Sequence, residues 1–206
     1  MRSENKPTGQ KRSFIEEARR KQIVTAAIEA IAEDGYSRAS FVRIAARASI
    51  SPGLITYHFK TKERLIREVL AHIEGRLDRA MEGGPEPLEG FEDGLRRIVT
   101  GHITHCASHP QEMAARREVL SAALPPALQE HVARGDDAGR TELIAFLTDG
   151  QRHGEFRSFD PEVFTDALFA ALSSAPRSVR RRPAEEHGAY AREMADLFAE
   201  AATGRG

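Results

Sequence analysis

Two short stretches hold side chains whose types and spacing could do chemistry. The first, SPGLITYHFKTK (residues 51–62), sets Thr56, Tyr57 and His58 side by side and follows them with Lys60 and Lys62. All five donate hydrogen bonds and the lysines add positive charge, so a phosphate oxyanion is the natural partner. Ser51 suits a helix N-cap, Pro52 suits the first helical position, and Gly53 lets a ligand approach the backbone without a Cβ in the way. The second stretch places His102, His105, Cys106 and His109 at i, i+3, i+4 and i+7, one face of a helix. Imidazole and thiolate ligate zinc and other transition metals, so this face could serve a metal-dependent sensor or enzyme. It could equally contact an organic ligand.

Catalytic signatures are missing. The chain has no GxSxG elbow, no Walker-type loop, no dinucleotide glycine fingerprint and no HExxH. Cys106 beside a histidine on one helix face lacks a third group to orient the pair. No enzyme, cofactor or bound metal is expected on this reading.

The elements that must position these residues are helical, and no segment alternates with the period of a strand. At 40% hydrophobic and 30% charged residues, 206 residues suffice for a folded chain with a sizeable core. No apolar run reaches the ~20 residues of a membrane span, no secretory signal opens the chain, and Cys106 is the single cysteine. A cytoplasmic protein is expected. Residues 1–80 hold 16 Lys and Arg against 10 Asp and Glu, whereas the remainder holds 14 against 21. A basic excess confined to one end is the electrostatic footprint of a nucleic-acid-binding module.

Residues 1–13 read as a mobile basic arm. A first helix starts near Ser13 or Phe14 and stops at Gly35. A second starts at Ser40, with Phe41, Ile44, Ala45 and Ala48 as its apolar set. The third starts at Ser51 and has only Ile55 and Phe59 to bury. Thr61 caps a fourth that runs toward residue 79. Helices are then expected at about 88–108, 112–124, 127–153 with a break at Gly135–Gly139, 161–174, and 184–202, with a loop at 175–183. The RRR of that loop (180–182) reads as solvated charge. Two short helices joined by a tight turn and flanked by others are the parts of a helix-turn-helix, whose second helix enters the major groove of DNA. A groove-entering helix keeps its outward face unburied, which accounts for the minimal anchor of Ile55 and Phe59.

The run GYSRASFVRIAARASISPGLITYHFKTKERLI (35–66) resembles the DNA-binding domain of the TetR family of bacterial regulators. Gly35-Tyr36, Ile44-Ala45, Ser51-x-Gly53, Tyr57-His58-Phe59 and Lys62-Glu63-x-Leu65 carry the likeness, which extends to about residues 14–80. Two positions depart from the pattern: Ala39 where the family has a capping Thr, and Ser49 where the turn has Gly. The resemblance implies an all-α chain with a helix-turn-helix domain (14–60), a linker helix (61–82) and a larger helical effector-binding and dimerisation domain (83–206). It implies that Ser40 and Arg43 contact phosphate or a base, that Pro52, Gly53, Leu54 and Thr56 face base edges, and that Tyr57, His58 and Lys62 clamp phosphates. It further implies a homodimer through the last two helices, a palindromic operator in double-stranded DNA, and a small, largely apolar effector that releases a repressor. Phe91, Phe146, Phe156 and Phe169 are candidates to line the effector pocket, with His102, His105 and Cys106 as its polar contacts.

Overall fold

The computed structural model describes residues 8–84 and 87–204, and every regular element among them is a helix. Nine α-helices follow in order: α1 (Thr8–Asp34), α2 (Phe41–Arg47), α3 (Pro52–Phe59), α4 (Lys62–Glu82), α5 (Phe91–Ser108), α6 (Pro110–Leu120), α7 (Pro126–Arg152), α8 (Pro161–Arg180) and α9 (His187–Thr203). A 3-10 turn, Ala184–Glu186, precedes α9. Of the basic arm expected at 1–13, residues 1–7 lie outside the described residues, and the backbone from Thr8 onward already belongs to α1.

Three segments differ from the sequence expectation. α7 runs unbroken through Gly135 and Gly139, because an isolated glycine costs a helix only about 1 kcal/mol and Leu128, Leu143 and Leu147 bury one side of it. α8 continues to Arg180 with Pro176 inside it, where a loop was expected from 175. Burial of Ala175 and Val179 on either side of the proline favours the helix over the break. α6 starts at Pro110 itself and ends at Leu120, earlier than expected at both ends.

Packing divides the chain into two units. The first runs through His72 and takes back Ala114–Pro125; the second is Ile73–Met113 with everything from Pro126. The division therefore falls inside α4 and inside α6.

In the first unit, α1 contributes Ile23, Ala27, Ala30 and Ile31, all fully buried, and α4 contributes Leu65, Ile66, Val69 and Leu70. Gly35, at φ +84°, ends α1 with its N–H on the Ile31 carbonyl at 2.9 Å. In the second unit α5 packs chiefly on α9, then on α8 and α7. Gly90, before α5, offers no side-chain cap, and Glu155 fills that role from a distance: its carboxylate accepts from the Phe91 N–H at 2.6 Å and the Glu92 N–H at 3.3 Å. Asp160 caps α8 locally, accepting from Glu162 N at 2.9 Å, as its Asp-Pro start suggested.

Candidate DNA-reading surface

The surface is built on α2 and α3. Ser40 caps α2, its Oγ accepting from the Arg43 N–H at 3.4 Å, so the position vacated by the family's threonine is served by its neighbour. Ala39 is fully buried instead. The turn after α2 is a Schellman motif: Ile50 N–H bonds the Ala45 carbonyl at 3.0 Å and Ser49 N–H the Ala46 carbonyl at 3.3 Å. Ser49 takes the left-handed position at φ +52°, costing about 1–2 kcal/mol relative to glycine. Gln22 of α1 offsets part of this by donating to the Ala48 carbonyl at 2.7 Å.

On α3, Ile55 and Phe59 are 0% and 2% exposed, and each contributes about 1.5–3 kcal/mol of burial. Pro52, Gly53, Thr56 and Tyr57 are exposed, while Leu54 and His58 are half-buried. A Cβ placed on Gly53 would meet nothing closer than Ser51 Oγ at 4.0 Å, so no packing requires a glycine there. Thr56 Oγ1 donates to the Pro52 carbonyl at 3.3 Å, leaving its lone pairs outward. Tyr57 is 61% exposed and stands edge-on to His58, with ring centroids 5.1 Å apart. Burial foremost, and the Arg20 cation next, hold the His58 pKa below its ordinary value. His58 is thus a neutral imidazole near pH 7, a hydrogen-bond donor without charge.

Two of the expected contacts are tethered within the fold. Arg43 lies 3.3 Å from Asp34 and is half-exposed. Lys62 turns inward: Nζ donates to the Tyr36 carbonyl at 2.6 Å and sits 4.3 Å from the centroid of the Tyr36 ring. Burial lowers its pKa. Lys60 is the exposed cation beside α3, 5.2 Å over the Tyr57 ring. It centres a tight turn at φ +62°, with Thr61 N–H on the Phe59 carbonyl at 2.7 Å. Thr61 then caps α4 as expected, accepting from Arg64 N at 3.3 Å.

Sequence reasoning missed Arg20. From α1 its guanidinium donates to the His58 carbonyl at 3.3 Å, pairs with Glu68 of α4 at 2.8 Å and lies 4.6 Å from the centre of the Phe59 ring. One side chain thereby fixes the end of α3 against α1 and α4. Its partners lie 38 to 48 residues away, so no local pattern marks it.

Of the candidate effector residues in the second unit, Phe91, Phe146 and Phe169 lie half-buried against one core that includes Cys106. Phe91 and Phe146 meet at 5.4 Å between centroids and share Phe156 as a neighbour. Phe169 packs half-buried against the core, and His105 and Cys106 are buried within α5 while His102 is half-buried. A cleft of about 320 Å³ in this unit is lined by Ala80, Gly83, Arg97, Thr100, Gly101 and Thr104, none of them a candidate effector residue. The four-residue metal face is not assembled either. His105 and His109 stack face to face at 4.4 Å, so their nitrogens do not converge. Among the described residues no group of three or more His, Cys, Asp or Glu is placed to hold a metal ion.

A three-helix head with a Schellman turn, a two-residue anchor and an outward polar face on the second helix defines a helix-turn-helix DNA-binding protein. Residues 23–69 match the family model of bacterial regulatory proteins of the tetR family, and residues 89–202 match the tetracyclin repressor-like C-terminal domain. The chain belongs to the TetR family of transcriptional regulators. It is 33% identical over 157 residues to the HTH-type transcriptional regulator UidR of Escherichia coli K12, covering 75% of this chain and 77% of that one. It is 26% identical over 153 residues to a fatty acid metabolism regulator of Bacillus subtilis, covering 73% and 78%. The crystal structure of a TetR-family regulator from Rhodococcus sp. superimposes with a TM-score of 0.75 at 26% identity, over 88% of this chain and 99% of that one.

Proposed function

We propose that the chain is a ligand-responsive repressor that binds a palindromic operator as a homodimer and leaves it when a small, largely apolar effector binds. The observation that carries this reading is the outward face of α3, where Thr56 and Tyr57 are exposed while Ile55 and Phe59 are not. Pro52, Gly53, Leu54 and Thr56 approach base edges, with Leu54 offering apolar contact to a thymine methyl. Ser40, Arg43, Tyr57, neutral His58 and Lys60 hold phosphates and set register. Lys62 joins them only by leaving the Tyr36 carbonyl. With Leu54 and Thr56 the side chains that reach far into the groove, DNA shape carries much of the specificity.

Dimerisation runs through α8 and α9, whose Val163 and Leu197 are 64% and 58% exposed. An effector in the second unit shifts operator affinity by its preference between the DNA-bound and free arrangements, and by no more than that. The fatty-acid regulator among the relatives and the phenylalanine-rich core favour an acyl chain as the apolar part. A DNA-bound repressor acts in the cytoplasm, and among the described residues no helix is long and apolar enough to cross a membrane.

Fluorescence anisotropy with the gene's own upstream DNA tests the reading. Nanomolar binding that weakens steeply with salt is expected, with Tyr57→Ala weakening binding to all bound sequences alike. Loss of transcription from that promoter in vitro on adding the protein identifies a repressor. A panel of free fatty acids and acyl-CoAs of graded length, read by thermal shift and by DNA release, tests the effector. The reading fails if wild-type protein has no salt-sensitive affinity for that DNA.

A further inference from the structure

Two helices carry the chain across the boundary between its packing units: α4 crosses at His72–Ile73 and α6 at Met113–Ala114. Inside the second unit, within about one helical turn of both crossings, the two helices are tied by an ion pair. Arg76 Nη1 of α4 lies 3.1 Å from Glu112 Oε1 of α6. Glu112 is 8% exposed, an unusual depth for a carboxylate. The other edge of the same guanidinium donates from Nη2 to His109 Nε2 at 2.5 Å. Glu112 Oε2 faces His105 Nε2 at 3.2 Å, and the stacked His105–His109 pair walls the site.

Stability alone does not call for this arrangement. A buried ion pair is commonly matched or bettered by apolar residues of the same volume, and its best-attested use is to select one register over others. An apolar contact between α4 and α6 would tolerate sliding, whereas a two-edged guanidinium clamp holds one position. The same α4 that Arg76 anchors supplies Leu65, Ile66, Val69 and Leu70 to the core beneath the DNA-reading surface.

We propose that Glu112, acting through Arg76, is a positioning residue for DNA binding: it fixes α4 against α6 where both helices leave for the DNA-reading unit. The proposal rests on the DNA-binding assignment above. Neither residue touches DNA in this role.

The test compares Glu112→Gln, Arg76→Met, the double variant and Arg76→Lys with wild type. The readouts are affinity for the upstream DNA over a salt series and hydrogen exchange of the α4 amides 73–82. Each of the first two substitutions is expected to weaken binding about tenfold, with an unchanged slope of log affinity against log salt because no phosphate contact is lost. The double variant loses no more than either single, Arg76→Lys recovers most of the affinity, and exchange of 73–82 accelerates wherever affinity falls. Folded single variants that bind like wild type overturn the proposal, as do losses that add in the double variant or a salt slope that drops by one. If the single variants do not fold, the reciprocal Arg76→Glu, Glu112→Arg protein decides: near-wild-type affinity supports the clamp, and a folded protein with tenfold loss refutes it. If wild-type protein binds no upstream DNA, the DNA-binding assignment falls by itself. Exchange then judges Glu112, with faster α4 exchange in Glu112→Gln supporting its role and unchanged exchange ending it.

Discussion

Gly53 separates folding from function at a single residue. The space above it is open, so Gly53→Ala should raise helix stability by up to about 1 kcal/mol. The same methyl should weaken DNA binding roughly tenfold, because the proposed reading sets this backbone against phosphate or base. Melting and anisotropy on one variant check both signs. A second residue-scale expectation concerns pH. Burial, with His109 and Arg76 adding to it against Glu112, holds the His105 pKa below its ordinary value of 6.5. The native state therefore prefers neutral His105 while the unfolded chain takes up a proton near pH 6.5, so stability is complete above that pH and declines as pH falls below it. Urea midpoints should drop between pH 7.5 and 5.5, and His105→Asn should flatten the decline. His58 contributes in the same direction. At this scale the sequence was informative where chemistry is local. Ser40, Thr61 and the strained Ser49 turn were all legible from residue type and position. Lys62 was not, because its partner is the backbone of Tyr36 across the fold. Nor was Arg20, whose role appears only when three helices meet.

Among the elements, glycines report how closely helices approach. A Cβ at Gly101 of α5 would sit 2.0 Å from the Ala80 carbonyl oxygen of α4, a backbone atom with nowhere to yield. Gly101→Ala should therefore destabilise the protein by about 1–3 kcal/mol and remodel the adjoining cleft. Gly135 of α7 has nothing within 4 Å of the same position, and Gly135→Ala should stabilise by about 0.5–1 kcal/mol. Thermal melts of the two variants should move in opposite directions. Sequence patterns read Gly135 as a possible break and passed over Gly101 inside an unbroken helix. They failed again at Pro176, read as a helix terminator although Ala175 and Val179 are buried around it. Helix existence followed from periodicity; helix ends depended on packing that no window of local sequence contains.

For the molecule as a whole, the proposed two-fold DNA recognition would make affinity depend on assembly. Leu197→Arg should yield monomers by light scattering and lower operator affinity by at least about a hundredfold, with the fold of each chain unchanged by circular dichroism. The order of a helix-turn-helix part followed by a larger helical part was legible in the sequence. It was not legible that Ala114–Pro125 returns to the first unit, because apolar residues such as Ala115 and Val119 carry no mark of which core they enter. The effector site was least legible, since aromatic and histidine residues suit a packed core as well as a pocket. One further property follows from the buried cysteine in α5. Cys106 is 3% exposed and is the sole thiol in the chain. A thiol-reactive dye will find it only when the regulatory core opens, so its labelling rate serves as a built-in clock for that opening. Saturating effector should slow the clock without any engineered probe.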